Sequence, residues 1–166
     1  MHISNYSKEN IDNNRKSLKM NQTLKYKIFA YIKKPLIIAV LLFVFTFVEI
    51  YWSMGNFSDK PSSACLDCSF FDDAYLMTLF STVFLSIIFL ALSFIKNNNL
   101  KFLLQVLIVI LVWFFWNYTL FVDRESAWST YLFKEEIMYT ITFSFFPILI
   151  LSLVTVFTLN YIFKKI

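Results

Sequence analysis

Two cysteines three positions apart, together with one glutamate and one asparagine inside long apolar runs, are the side chains whose types and spacing could do chemistry in this 166-residue chain. Cys65 and Cys68 enclose Leu66 and Asp67 in a C-x-x-C, a spacing that closes a small disulfide ring or exchanges electrons with another thiol. Closing so short a ring restricts the unfolded chain by only about 2 kcal/mol, and a tight ring is open to reduction. If the chain does redox chemistry, Cys65 and Cys68 are its catalytic pair; otherwise they staple a loop. No metal is indicated, since zinc takes about four ligands and the single histidine is His2, far from the cysteines.

Glu49 sits in Phe47-Val48-Glu49-Ile50, and a carboxyl group in such a run is expensive to bury, which makes it a functional candidate. Counted from the ends of the apolar runs at about 1.5 Å per residue, Asn117 falls at the same depth. Thr78 and Thr140 fall at comparable depth, so Glu49, Asn117, Thr78 and Thr140 form a candidate intramembrane polar layer. The plainer reading is interhelical hydrogen bonding worth about 0.6 kcal/mol per bond. Ala74, Thr78, Thr82 and Ser86 recur every four residues, and Ala39, Thr46 and Ser53 every seven, as faces of close helix packing require.

The elements that must carry these residues follow from composition. The chain is 58% hydrophobic, 20% aromatic and 16% charged, against about a quarter charged in a soluble domain. Residues 1–34 are a basic, Asn-rich tail that cannot bury a core alone, and it is too long for the basic region of a cleaved signal. The first apolar run is therefore expected to stay as an anchor. Spans 35–54, 74–95, 102–121 and 137–163 each reach the roughly 20 apolar residues that cross about 30 Å of hydrocarbon. Period-two alternation is absent, so helices and not a barrel must satisfy the backbone.

Loop charge orients the spans. Of fifteen Lys and Arg, eight precede the first span, two (Lys96 and Lys101) separate the second and third, and two (Lys164 and Lys165) follow the fourth. By the positive-inside rule both termini are cytoplasmic, and the segments 55–73 and 122–136 face outward. Asp72 and Asp73, and Glu135 and Glu136, mark the two helix starts on the outer side, where negative charge suits the helix dipole. Trp52, Trp113, Trp116 and Trp128 fall toward that side as an interfacial belt. The expectation is an all-α integral membrane protein, four transmembrane helices in an antiparallel bundle, in a bacterial inner membrane. In a eukaryotic membrane, Asn56-Phe57-Ser58 would be an outward glycosylation acceptor.

With four spans, cytoplasmic termini and a C-x-x-C in the first outward loop just before span two, the chain resembles the DsbB-type membrane thiol oxidases. That resemblance implies thiol-disulfide exchange at Cys65 and Cys68. The family has a second cysteine pair in the second outward loop and an Arg soon after the first pair; here 122–136 has no cysteine, and Ser69-Phe70-Phe71-Asp72-Asp73 follows Cys68.

In size, topology and basic tail the chain also resembles the small four-helix immunity proteins that protect bacteria against pore-forming bacteriocins. This implies recognition of a toxin's helices inside the bilayer, through faces such as the 74–86 stripe. One Gly and three Pro leave no phosphate-cradling loop, and no hydrolytic triad or H-E-x-x-H is readable. The residue types weigh against an enzyme. No cofactor and no nucleic acid is expected; the partners are the lipid bilayer and another membrane protein or a membrane-inserting toxin, with self-association or an accessory-subunit role as further expectations.

Overall fold

The computed structural model describes residues 35–165, and residues 1–34, where the basic tail was read, lie outside the described residues. The chain divides into the units Met1–Ile37 and Ile38–Ile166, and the packing described here is that of the second. Helices α1 (35–54), α2 (Phe70–Leu92), α3 (Asn98–Arg124) and α4 (Phe133–Lys165) follow one another along the chain. Short 3-10 turns, Gly55–Phe57 and Ser126–Trp128, follow α1 and α3. All four helices are long and apolar enough to cross a membrane.

Local signals set the helix starts. Ser69 caps α2 in a capping box: its hydroxyl accepts from the Asp72 N–H at 3.2 Å, and the Asp72 carboxylate accepts from the Ser69 N–H at 3.1 Å. The helix therefore begins at Phe70, four residues before the apolar run suggests, and places Asp72 and Asp73 inside its first turn. Asn97 caps α3 through bonds to the Asn99 and Leu100 N–H groups, so that helix also starts earlier, at Asn98. α4 begins at Phe133 and continues through Pro147.

Each helix buries one narrow stripe. On α1 it is Ile38, Leu42, Thr46, Glu49 and Ser53; on α2, Phe70, Ala74, Thr78, Thr82, Leu85 and Phe89. On α3 it is Gln105, Val109, Trp113, Asn117, Leu120 and Arg124; on α4, Thr140, Ser144, Ile148, Leu151, Thr155 and Leu159. Steps of three and four residues keep each stripe on one side of a 3.6-residue helix. The outer faces are large and apolar, as at Val44, Phe84, Leu107 and Phe146. A water-soluble bundle has the reverse distribution, and polar-inside, apolar-outside packing suits hydrocarbon, where a hydrogen bond has no competitor.

Two apolar clusters form the core. One joins Ile38, Leu42, Leu85, Phe89, Val109, Trp113, Ile148 and Val156; the other joins Ile50, Met54, Phe57, Phe70, Ala74, Leu120 and Phe121. Trp113 is fully buried and its indole N–H donates to the Thr46 hydroxyl at 3.0 Å, so it is a core residue and not one of an interfacial belt. α3 packs through polar as well as bulky side chains, since Gln105 and Asn117 lie on its buried face. Trp113→Phe keeps most of the ring volume but leaves the Thr46 hydroxyl without its donor. It is expected to lower unfolding free energy in detergent by about 1 kcal/mol, read from denaturant midpoints against wild type.

Candidate functional site

The candidate residues gather in two places: a hydrogen-bonded loop cap holding the cysteines, and a polar group deeper among the helices.

In the cap, the Cys65 and Cys68 sulfurs lie 1.97 Å apart, at disulfide distance, with Cα atoms 5.3 Å apart. Both residues are half-buried, between exposed Ala64, Leu66, Asp67 and Ser69. The Ser62 hydroxyl accepts from the Cys65 N–H at 3.2 Å, and the Cys68 N–H donates to the Cys65 carbonyl at 3.0 Å. The loop is fastened by the last turn of α3. Asp123 accepts through one carboxylate oxygen from the Ser63 hydroxyl at 2.7 Å and the Ala64 N–H at 2.9 Å, and through its carbonyl from the Ser63 N–H at 3.1 Å.

Arg124 is the centre of this cap. It is 1% exposed, and it donates through Nη1 to the Lys60 carbonyl at 2.5 Å and through Nη2 to the Cys68 carbonyl at 3.3 Å. The same Nη2 pairs with the Asp73 carboxylate at 2.5 Å, and the guanidinium lies 5.3 Å from the centroid of the Phe70 ring. One buried cation thus ties the segment before the cysteines, Cys68 itself and the first turn of α2 to the end of α3. Around it, Trp128 donates its indole N–H to the Pro61 carbonyl at 3.0 Å, Lys60 pairs with Glu125, and Glu136 accepts from the Tyr118 and Ser126 hydroxyls.

By loop charge alone Arg124 is one of three cations in the segments 55–73 and 122–136, with Lys60 and Lys134, and its central place in the cap does not follow from that. The available signal was periodicity, since Arg124 extends by one heptad the α3 face that carries Asn117.

Deeper in, the Glu49 Oε1 atom accepts from the Ser53 hydroxyl at 2.6 Å and from the Asn117 amide at 2.7 Å. Glu49 and Asn117 are therefore brought together, both at 0% exposure. Thr78 and Thr140 are buried too, but neither bonds to that pair: Thr140 donates to the Glu136 carbonyl at 2.8 Å, and the Thr78 hydroxyl has no partner among the described residues. Of the four-residue layer, two members are joined. Gln105 accepts from the Asn160 amide at 2.9 Å, a further polar contact between α3 and α4.

On α2 the small-residue stripe faces inward: Ala74, Thr78 and Thr82 are buried and Ser86 is half-buried. No group of three metal-ligating side chains gathers among the described residues. Between α2 and α3 lies an apolar groove of about 760 Å³ whose walls include Phe80, Phe84, Ile108, Leu111 and Phe115, with Ser81 as a polar side chain in its lining.

By helix length and composition this is an all-helical, multi-pass membrane protein. Set against protein-family models, characterised proteins and solved structures, the chain matches none.

Arg124→Ala removes the shared donor of two carbonyls and leaves the Asp73 carboxylate unpaired. A loss of about 3 kcal/mol is expected, with protease cutting concentrated between residues 58 and 69. Arg124→Lys should recover part of it, because an ammonium can serve Asp73 but cannot span the same carbonyls. Equal cutting of wild type and Arg124→Ala would show that this pin does not hold the loop.

Proposed function

We propose that this is a protein of the bacterial cytoplasmic membrane, an antiparallel four-helix bundle with both termini cytoplasmic. It acts by lateral contact with a membrane-inserted helix, as an immunity protein against a pore-forming bacteriocin does. The sidedness rests on the loop charges, which put the disulfide cap on the outer face.

The observation that carries the contact reading is Ser81. It is 1% exposed, lines the α2–α3 groove, and its hydroxyl has no hydrogen-bond partner among the described residues. It lies about 17 Å along α2 from Phe70, near the middle of the span. A phospholipid in the groove offers only hydrocarbon at that depth. The acceptors open to it are a carbonyl of its own preceding turn, as used on α4, or a group on another transmembrane segment seated in the groove, and a hydrogen bond between helices at mid-membrane contributes about 1 kcal/mol. The contact face is then this groove, because the 74–86 stripe is taken up by the protein's own packing. An accessory subunit of a larger complex would use the same face.

Where a pore-forming bacteriocin is encoded beside its gene, cells making the protein should survive that toxin, and Ser81→Phe, which fills the groove floor, should reduce survival at least tenfold with the protein still in the membrane. Equal killing of cells with and without the protein would remove the immunity reading.

A second reading, thiol-disulfide exchange, is favoured by the half-buried cysteine pair at disulfide distance in the loop just before α2. Cys68→Ser leaves Cys65 without its resolving thiol and should trap a mixed disulfide with a soluble thiol protein on non-reducing gels. Finding no adduct would leave the pair as a loop staple.

A further inference from the structure

Glu49 and Asn117 present an imbalance that their single hydrogen bond does not resolve. The Asn117 amide N–H donates to Glu49 Oε1, and the two remaining oxygens of the pair, Glu49 Oε2 and Asn117 Oδ1, have no partner among the described residues. Both are acceptors when the carboxyl group is ionised, and both belong to side chains at 0% exposure. A carboxylate and a carboxamide joined through one N–H···O bond lack one hydrogen to close a ring: a proton on Oε2 that donates to Oδ1.

Among the described residues no cation balances the carboxyl group. Glu49 is the sole charged residue of α1 as described, and Ser53 and Thr46 beside it on that helix are hydroxyls. α2 contributes Thr78 at comparable depth, and its charged residues Asp72 and Asp73 are in the first turn. α3 contributes Trp113 and Asn117; its Asp123 and Arg124 are in the last turn, where Arg124 is engaged by Asp73 and two carbonyls, and its Lys101 is near the other end. α4 contributes Thr140 and Ser144, with Lys134, Glu135 and Glu136 in its first turn. Among the described residues Glu49 has no ion pair. An ionised carboxylate with no counter-charge, dry and surrounded by hydrocarbon, loses several kcal/mol of hydration that two hydrogen bonds replace only in part.

We propose that Glu49 and Asn117 form a buried proton-binding site, in which Glu49 is held as the carboxylic acid and closes a two-bond ring with the Asn117 carboxamide. The Oε2–H donates to Asn117 Oδ1 while the Asn117 N–H donates to Oε1, and Ser53 donates a third bond to Oε1. One proton thereby satisfies both orphan oxygens and removes the uncompensated charge. The ring also clamps α1 to α3 next to the Thr46–Trp113 bond, so release of the proton would put charge and a broken contact at the same point between the two helices. This inference concerns the helix interior and is independent of what occupies the α2–α3 groove or of the cysteines.

Infrared spectroscopy on the full chain, labelled with ¹³C at the glutamate side-chain carboxyl and reconstituted in phospholipid vesicles at neutral pH, tests it. One protonated carbonyl band per chain is expected, moving to lower frequency in D₂O and lost in Glu49→Gln. Glu49→Gln should remain folded, because its amide N–H can replace the acid O–H on Asn117, and its thermal midpoint should match or exceed that of wild type. Asn117→Leu should move the band to higher frequency as the acid loses its acceptor. Labelled wild type that shows ionised carboxylate bands alone would overturn the proposal, as would a Glu49 carboxylate band that appears only with sodium, which would make the site one for a metal cation.

Discussion

Hydrocarbon supplies neither hydrogen-bond donors nor acceptors, so a helix that lies in it must hand every polar side chain to another part of the same chain or to a partner. That requirement organises the second unit of this protein. Thr46 goes to Trp113, Glu49 to Ser53 and Asn117, and Gln105 to Asn160, each on the inward stripe of its helix. α4 follows a different course, with Thr140, Thr142, Ser144 and Thr155 bonded to carbonyls of their own preceding turns. α2 follows neither: the hydroxyls of Thr78, Ser81, Thr82 and Ser86 are buried without partners among the described residues. The helix with the most unspent donors is thus one wall of the open groove.

At the loop end the same accounting is solved by a single cation. Arg124 is carried inward by the α3 stripe, and three groups from the 58–73 region converge on it. Burying a guanidinium is unfavourable unless its donors are matched, and here an aspartate, two carbonyls and the face of Phe70 match most of them. Asp123, its neighbour, secures the adjacent Ser63–Ala64 backbone. The two cysteines therefore sit on a loop whose position is set by α3, not by the short ring they form. That bears on either function: a redox pair needs a defined presentation, and a recognition surface needs a rigid rim.

What the sequence determined by itself was the number of long apolar helices and much of their inward faces. Those signals are local: twenty or so apolar residues fix a span, a step of three or four fixes a face, and Ser69 or Asn97 fixes a start. The pairing of Glu49 with Asn117 was also legible, because counting residues from the ends of two spans gives depth in a common frame. Tertiary structure alone decided the partners. Which side of α3 meets α1 determined that Trp113 would be core and not interface, and that Glu49 would bond to Asn117 and not to Thr78 or Thr140 at comparable depth. Arg124 shows the limit most plainly: its charge made it look like a loop residue, yet 51 residues separate it from Asp73 and 56 from Cys68, and only the packing of four helices brings those groups within hydrogen-bond distance. Depth is additive along a helix and can be counted from sequence; rotation about the helix axis relative to a neighbour is set by side-chain packing, and it chose the partners here.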